Sequence, residues 1–275
     1  MILQMNPILF SFGSVVIRWY SLFILIAFIT VYYLFKKEAW RFRVPQDFVF
    51  NLAFWIFILG ILGARIWYVL FHLDYYSKNI VDIFKIWEGG LAIHGGLIVG
   101  VLLILLFCKK YKFRFIRLLD FIAPALLLGQ AIGRWGNFFN GEAHGVAVSA
   151  STLKAYLVPQ FIIDGMTING VTYMPTFLFE SFACLILFII FMIIRNYKYL
   201  KVGTLSALYF MGYGIIRFFI EYQRVDALKI GDIRVAQVIS VISFIIGLTI
   251  LISNGRKGKL DDLYNDKENI PNIKY

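Results

Sequence analysis

The chain has 275 residues, of which 60% are hydrophobic and only 16% charged. A soluble domain of this length needs far more polar surface, and strict alternation of polar and apolar residues is absent, which argues against a transmembrane barrel. The formal net charge is +11, but its placement along the chain is that of a membrane topology signal, not of a nucleic-acid-binding surface.

Crossing a bilayer as a helix takes about 20 predominantly apolar residues. Seven stretches meet that need: Ile17–Phe35, Phe48–Phe71, Leu91–Phe107, Leu118–Trp135, Thr176–Ile194, Gly203–Ile220 and Ile233–Ile252. The expected fold is therefore all-α, a polytopic protein with seven transmembrane helices. Residues 1–255 read as one transmembrane catalytic domain and residues 256–275 as a cytoplasmic tail. One set of connecting segments holds Lys36, Lys37, Arg41 and Arg43, then Lys109, Lys110, Lys112, Arg114 and Arg117, then Arg195, Lys198 and Lys201. The tail adds Lys257 and Lys259, whereas the alternate segments hold only Lys78, Lys85, Lys154, Arg224, Lys229 and Arg234. Basic loops stay in the cytoplasm, so the N-terminus is expected outside and the C-terminus inside. No basic region precedes the first apolar run, so that run reads as a retained span. The two cysteines, Cys108 and Cys184, suggest neither a disulfide framework nor a metal site. The tail beyond Asn254 is charged and reads as a solvated extension.

Topology turns positions into depths. Arg18 and Tyr20 start the first span at its outer end; Arg65 lies in the outer half of the second, with His72 at its exit. His94 falls within the first turn of the third, and Gln130, Arg134 and Asn137 lie toward the outer end of the fourth. Glu180 is near the mouth of the fifth, and the sixth ends with Arg217, Glu221 and Arg224. Several helices thus deliver polar groups to one outer layer, where each isolated charge costs roughly 2.5–3.5 kcal/mol on insertion scales. Asn51 and Asp120 are the main polar groups of the inner half. Residues 217, 221 and 224 share a face if the helix continues, as do 134 and 137. Snorkelling to the headgroups is the plainer reading for Arg224 and Arg18. Arg134 and Arg217 lie deeper and point to an internal site. Arg65 reads either as a partner of Glu180 or as part of that site, and His72 as an interfacial side chain.

Two glycine-rich segments frame the layer. One runs Glu88-Gly-Gly-Leu-Ala-Ile-His94-Gly-Gly, the other Gly133-Arg-Trp-Gly-Asn-Phe-Phe-Asn-Gly-Glu142, followed by Gly145. Glycine permits close helix packing in membranes, which explains some of these positions. Interleaved His, Arg, Asn and Glu need a further reason, and guanidinium groups beside backbone N–H donors suit a phosphate. The expected chemistry is recognition of an anionic headgroup, with His94 available for proton transfer. Residues 138–175 form the longest external connection and read as a small external subdomain between helices four and five, with turns at Asp164-Gly165 and Asn169-Gly170.

These segments resemble the bacterial prolipoprotein diacylglyceryl transferases. The run from Gly133 through Glu142 to Gly145 is similar to that family's signature, with supporting matches at Arg18-Trp-Tyr20, at His94, at Asp120-Phe-Ile-Ala-Pro124 and at Arg217-Phe-Phe-Ile-Glu221-Tyr-Gln-Arg224. The resemblance implies transfer of a diacylglyceryl group from phosphatidylglycerol to the cysteine thiol of a prolipoprotein lipobox. The products would be a thioether and glycerol 1-phosphate. It also implies a place in the bacterial plasma membrane, with the active site toward the outer leaflet. Membrane lipids and the prolipoprotein signal peptide are the implied partners, with no nucleic acid, cofactor or metal. Carried over residue by residue, His94, Arg134, Arg217 and Glu221 are the expected catalytic residues. Tyr20, Arg134, Asn137, Glu142, Gly145, Arg217 and Arg224 are the expected substrate-binding residues. The chain departs from the pattern at Ser21, where glycine commonly follows the tyrosine. It departs again at Met174-Pro-Thr-Phe-Leu-Phe-Glu180, where many members carry a histidine and a tyrosine.

The rival reading is a transporter or channel for a small anion. Such a path needs polar groups through both leaflets and often paired broken helices, and neither is evident. The last span has no lysine for a retinal, and no Gly-x-Ser-Gly segment suggests a serine protease.

Overall fold

A computed structural model describes residues 6–12, 15–267, 270 and 273. The chain opens with strands β1 (Ile8–Phe12) and β2 (Val15–Arg18), which pair with each other. Helices α1 (Trp19–Arg41), α2 (Gln46–Leu70) and the short α3 (Leu73–Tyr76) follow. Two 3₁₀ turns, Ile80–Phe84 and Ile86–Glu88, lead to α4 (Ile93–Lys110) and α5 (Phe115–Asn140). Next come α6 (Ala150–Ala155), α7 (Gln160–Gly165), the hairpin β3 (Thr167–Ile168) and β4 (Val171–Thr172), then α8 (Thr176–Ile194) and α9 (Thr204–Gln223). A second hairpin, β5 (Lys229–Ile230) and β6 (Ile233–Arg234), precedes α10 (Val235–Gly255). Among the described residues the fold is mostly helical, with three small two-stranded sheets outside its long helices.

Among the described residues, six helices, α1, α2, α4, α5, α8 and α10, are long and apolar enough to cross a membrane. Regular helix suits such segments because it satisfies every backbone N–H and C=O internally. The seventh expected span forms helix α9, but Ser206, Tyr209, Tyr213 and Arg217 make it less apolar than the other six. Helix boundaries also move. Arg18 ends β2 and does not start the first helix, α5 runs on through the glycine signature to Asn140, and α9 stops at Gln223. Arg224 is extended (φ −74°, ψ 135°), so the expectation that it shares a helical face with Arg217 and Glu221 fails.

Contacts divide the chain into two compact units. Of the described residues, the first comprises 6–10, 17–31 and 119–266. In it α9 packs against α8 and α10, and the first turns of α1 lie on the end of α5, with Trp19 and Phe23 stacked on Phe139 at 5.1 and 5.4 Å. Residues 138–175 pack a small cluster with the start of α8, in which Phe138, Leu153, Ile162, Ile163 and Phe177 are buried together. Its hairpin turns at Asn169-Gly170, both at positive φ (52° and 81°), which suits a two-residue connection.

Two polar devices at the other end of this unit were not apparent in the sequence. Asp120 accepts from the Gly203 N–H, from Ser206 N at 2.7 Å and from Ser206 Oγ at 2.6 Å. It thereby caps the first turn of α9 from another helix. The segment after α10 is no solvated extension as far as residue 266. Tyr264 is fully buried, its ring edge-on to Phe121 at 5.9 Å and its N–H bonded to Leu200 O at 2.6 Å.

Of the described residues, the second unit comprises 11–12, 15–16, 32–118, 267, 270 and 273. Its framework is the α2–α4 pair. Gly63 and Gly95 face each other so closely that a Cβ on Gly95 would collide with the Gly63 carbonyl, the small-residue packing expected of helices in lipid.

Candidate functional site in the first unit

The site is a chain of ion pairs linking α5, α8 and α9. Its hub is Glu180, buried on the second turn of α8. Arg134 Nη2 lies 2.8 Å from Glu180 Oε1, and Arg217 Nη1 lies 3.3 Å from Oε2. The Tyr213 hydroxyl donates to Oε1 at 3.1 Å and accepts from Arg134 Nη2 at 3.2 Å. Tyr213 and Arg217 sit four residues apart on α9, so one helical face presents both to the same carboxylate. Arg134 also reaches Asn137 Oδ1 at 3.5 Å, one turn along α5.

The chain continues along α9. Arg217 Nη2 donates to Glu221 Oε2 at 2.6 Å, and Arg224 Nη1 lies 3.9 Å from the same oxygen. Arg224 then makes a two-pronged bond to Asp226, Nε to Oδ1 at 3.0 Å and Nη2 to Oδ2 at 2.9 Å. Burial pushes the Asp226 carboxyl up, but the bonds and charge of Arg224 prevail and hold it below the usual carboxylate range. Three guanidiniums thus meet three carboxylates. Glu180 and Glu221 are buried while Arg134 and Arg217 keep some exposure, an arrangement that lets charge sit in an apolar bundle without an unpaired ion.

The signature loop is tied to this chain by backbone contacts. Gly145 bridges Arg224 in antiparallel fashion, and its N–H donates to Met174 O at 2.9 Å. A Cβ at Gly145 would lie 2.8 Å from Met174 Cβ and 2.9 Å from Thr176 Cγ2, so only glycine fits without displacing a neighbour. Asp226 Oδ2 also accepts from Ala143 N at 3.2 Å, and Thr176 Oγ1 donates to Ala143 O. Tyr20 packs over Gly136, where a Cβ would come within 3.1 Å of its ring. Gly136 therefore admits the tyrosine beside Arg134 and Asn137 on α5.

The expected residues divide accordingly. Arg134, Asn137, Arg217, Glu221, Arg224 and Gly145 are drawn into one network, with Tyr20 alongside. Glu142 is exposed, with its N–H on Asn137 O at 3.0 Å and its carboxylate accepting from Asn140. His94 belongs to the second unit, an exposed side chain in the first turn of α4. His72 stacks on Tyr68 at 4.1 Å with Nδ1 2.9 Å from Tyr68 O. The described hydrogen bonds of Arg65 do not include Glu180; all five go to backbone carbonyls in the second unit.

Three members of the network were not assigned from the sequence: Glu180, Tyr213 and Asp226. A carboxylate inside the very apolar run of α8 was the available signal for Glu180, and spacing from Arg217 was the signal for Tyr213. The altered segment Met174–Glu180 keeps its glutamate, and it is that glutamate which holds the site together.

A profile of the family described as "Prolipoprotein diacylglyceryl transferase" matches residues 7–253. The chain belongs to this family. It is similar to the phosphatidylglycerol--prolipoprotein diacylglyceryl transferase of Staphylococcus saprophyticus, with 42% identity over 248 residues, covering 90% of this chain and 88% of that protein. The protein of that name from Lactobacillus delbrueckii subsp. bulgaricus is 42% identical over 247 residues, covering 89% of each. That from Listeria welshimeri is 40% identical over 248 residues, covering 90% of this chain and 89% of its own length. The family match spans α1 through nearly all of α10, so all three arginines of the network and the glycine signature lie inside it.

Proposed function

We propose that this chain transfers the diacylglyceryl group of phosphatidylglycerol to the lipobox cysteine thiol of prolipoproteins. The sulfur forms a bond to the glyceryl carbon, the C–O bond to the phosphate ester breaks, and glycerol 1-phosphate leaves with the electron pair. The observation that carries this reading is the pairing of Arg134 and Arg217 through one carboxylate, in a chain whose relatives bear that activity in their names.

A guanidinium has five N–H donors. The bonds described above leave donors on both Arg134 and Arg217. Because the network is charge-balanced, an incoming phosphate adds the one negative charge that the remaining donors answer. As the ester bond breaks, negative charge grows on the leaving phosphate, and preorganised guanidiniums stabilise it there. Glu180 and Glu221 hold the two arginines in place. Asn137 and Glu142 position the glycerol headgroup or the signature loop, and Tyr20 contacts phosphate or shapes the lipid path. The nucleophile is the thiolate, and a free cysteine has a pKa of about 8.5. His94 is the group in the first turn of α4 with the chemistry to take that proton.

In this reading α9 is the seventh span. Its charges are paired within the bundle, so it crosses despite its lower hydropathy. The N-terminus lies outside, the C-terminus and the tail from 256 lie in the cytoplasm, and residues 138–175 are external. The site then faces the outer leaflet of the bacterial plasma membrane. The distribution of Lys and Arg supports this orientation.

The test is purified protein in phosphatidylglycerol vesicles with a lipobox peptide, read by the mass gain of the peptide. Arg134→Lys and Arg217→Lys keep the charge and lose the fork geometry, and each should reduce turnover by about 10²-fold or more. Normal turnover in both variants removes the clamp. Anion flux in these vesicles with no peptide modification favours the transporter.

A further inference from the structure

Arg65 is a buried arginine in α2 whose five described hydrogen bonds all go to backbone carbonyls, with the Asp82 carboxylate also within range of its charge. It is 5% exposed. Each of its five N–H donors has a backbone carbonyl: Nε on Ile83 O at 2.9 Å, Nη1 on Gly89 O at 2.8 Å and Gly90 O at 3.0 Å, Nη2 on Asp82 O at 2.5 Å and Lys85 O at 3.4 Å. Its guanidinium also lies 5.2 Å from the centre of the Tyr76 ring. The carbonyls belong to the strap of two 3₁₀ turns between α3 and α4. Neither turn buries a residue, and Ile80, Val81 and Phe84 all face outward. Apolar burial therefore does not hold this strap. The charge-assisted bonds to Arg65 do, such bonds being about twice as strong as neutral ones, together with the Tyr75 hydroxyl, which donates to Asp82 Oδ2 at 2.6 Å.

The strap ends where α4 begins. Gly89 and Gly90 both have positive φ (99° and 69°), and a Cβ on Gly90 would strike Arg65 Nη1 and the Tyr68 ring. Two residues on, Ala92 N donates to Ala64 O at 3.0 Å, and then Gly95 meets the Gly63 carbonyl. Three consecutive residues of α2, 63 to 65, thus grip the chain on both sides of His94.

We propose that Arg65 is a positioning residue that fixes the turn from Gly89 to His94, and so sets where the His94 imidazole stands. The inference rests on the proposed role of His94 in the transfer reaction, and deepens it.

The experiment compares wild type, Arg65→Lys, Gly90→Ala, His94→Gln and the double variant Arg65→Lys/His94→Gln, all in phosphatidylglycerol vesicles. Lysine has three donors against five, and Gly90→Ala disturbs the same contact from the strap side should Arg65→Lys fail to fold. Amide hydrogen exchange should rise about tenfold or more across residues 86–94 in Arg65→Lys and in Gly90→Ala, with the body of α4 unchanged. Arg65→Lys should lower kcat by about 10- to 100-fold while KM for peptide stays near wild type. The double variant should be no slower than His94→Gln, because both changes disable the same step. Unchanged exchange across 86–94 overturns the proposal, and so do kinetic losses that multiply in the double variant. If His94→Gln turns over at the wild-type rate, the His94 role falls with everything built on it. The exchange result then distinguishes that failure from a failure of the strap.

Discussion

The Arg134 guanidinium lies 2.8 Å from the Glu180 carboxylate. The other oxygen of that carboxylate is 3.3 Å from Arg217, so one buried anion sets the spacing of the two cations proposed to hold phosphate. Glu180→Gln keeps the shape and removes the charge both arginines share. Breaking a buried pair costs about 3–5 kcal/mol, and the residual exposure of the two arginines points to the lower end. A lower melting temperature in detergent and a fall in turnover of about 10²-fold are expected. Wild-type turnover in this variant means that the carboxylate does not organise the site.

Gly145→Ala tests the tie between the signature loop and α9. The added methyl meets Met174 and Thr176 at under 3 Å, and such overpacking costs about 1–3 kcal/mol. The loss should be local. Transferase activity falls steeply while helix content by circular dichroism is unchanged. A variant with full activity shows that the Gly145–Arg224 bridge is dispensable.

The Asp226 carboxyl is held below its usual range by Arg224. A group with a depressed folded pKa contributes stability above its unfolded value, about 3.9 for Asp, and loses it as pH falls through the folded value. The difference in melting temperature between wild type and Asp226→Asn should therefore be constant from about pH 5 to 8 and shrink toward zero below about pH 4. A difference that grows on acidification contradicts the assigned sign.

His94→Gln keeps a polar side chain and removes the proton acceptor. Turnover should fall about 10²- to 10⁴-fold at neutral pH. It should partly recover as pH approaches the thiol's own value of about 8.5, where thiolate forms unaided. A loss independent of pH assigns His94 to something other than deprotonation.

Tyr264 is fully buried beyond the last helix, and Lys257 bonds both Asn254 Oδ1 and Asp262 Oδ2 at 2.8 Å. Tyr264→Ala should destabilise the protein by about 3–5 kcal/mol, the range for a core aromatic cut to alanine, seen as an earlier thermal transition. Were the segment merely solvated, the transition would not move.

The sequence by itself determined the helical class, the length and apolar character that would let six helices cross a membrane, and the family. Those properties are written locally, in hydropathy over about 20 residues and in the run from Gly133 to Gly145. It also singled out Arg134, Arg217 and Glu221, because a charge in an apolar run is conspicuous wherever the helix packs. Only the tertiary structure decided the partners. Glu180 is 46 positions from Arg134 and 37 from Arg217, and nothing along the chain tells either of them from Arg65 as the partner of Glu180. The choice depends on which helices abut and on their rotation and axial offset, where 1.5 Å of rise per residue separates a bond from a miss. The same holds for Arg65 and its five carbonyls, for Asp120 capping a helix 83 residues away, and for Tyr264 folding back into the core. Each is an interaction with a range of about 3 Å, resolved only when distant segments are brought into register.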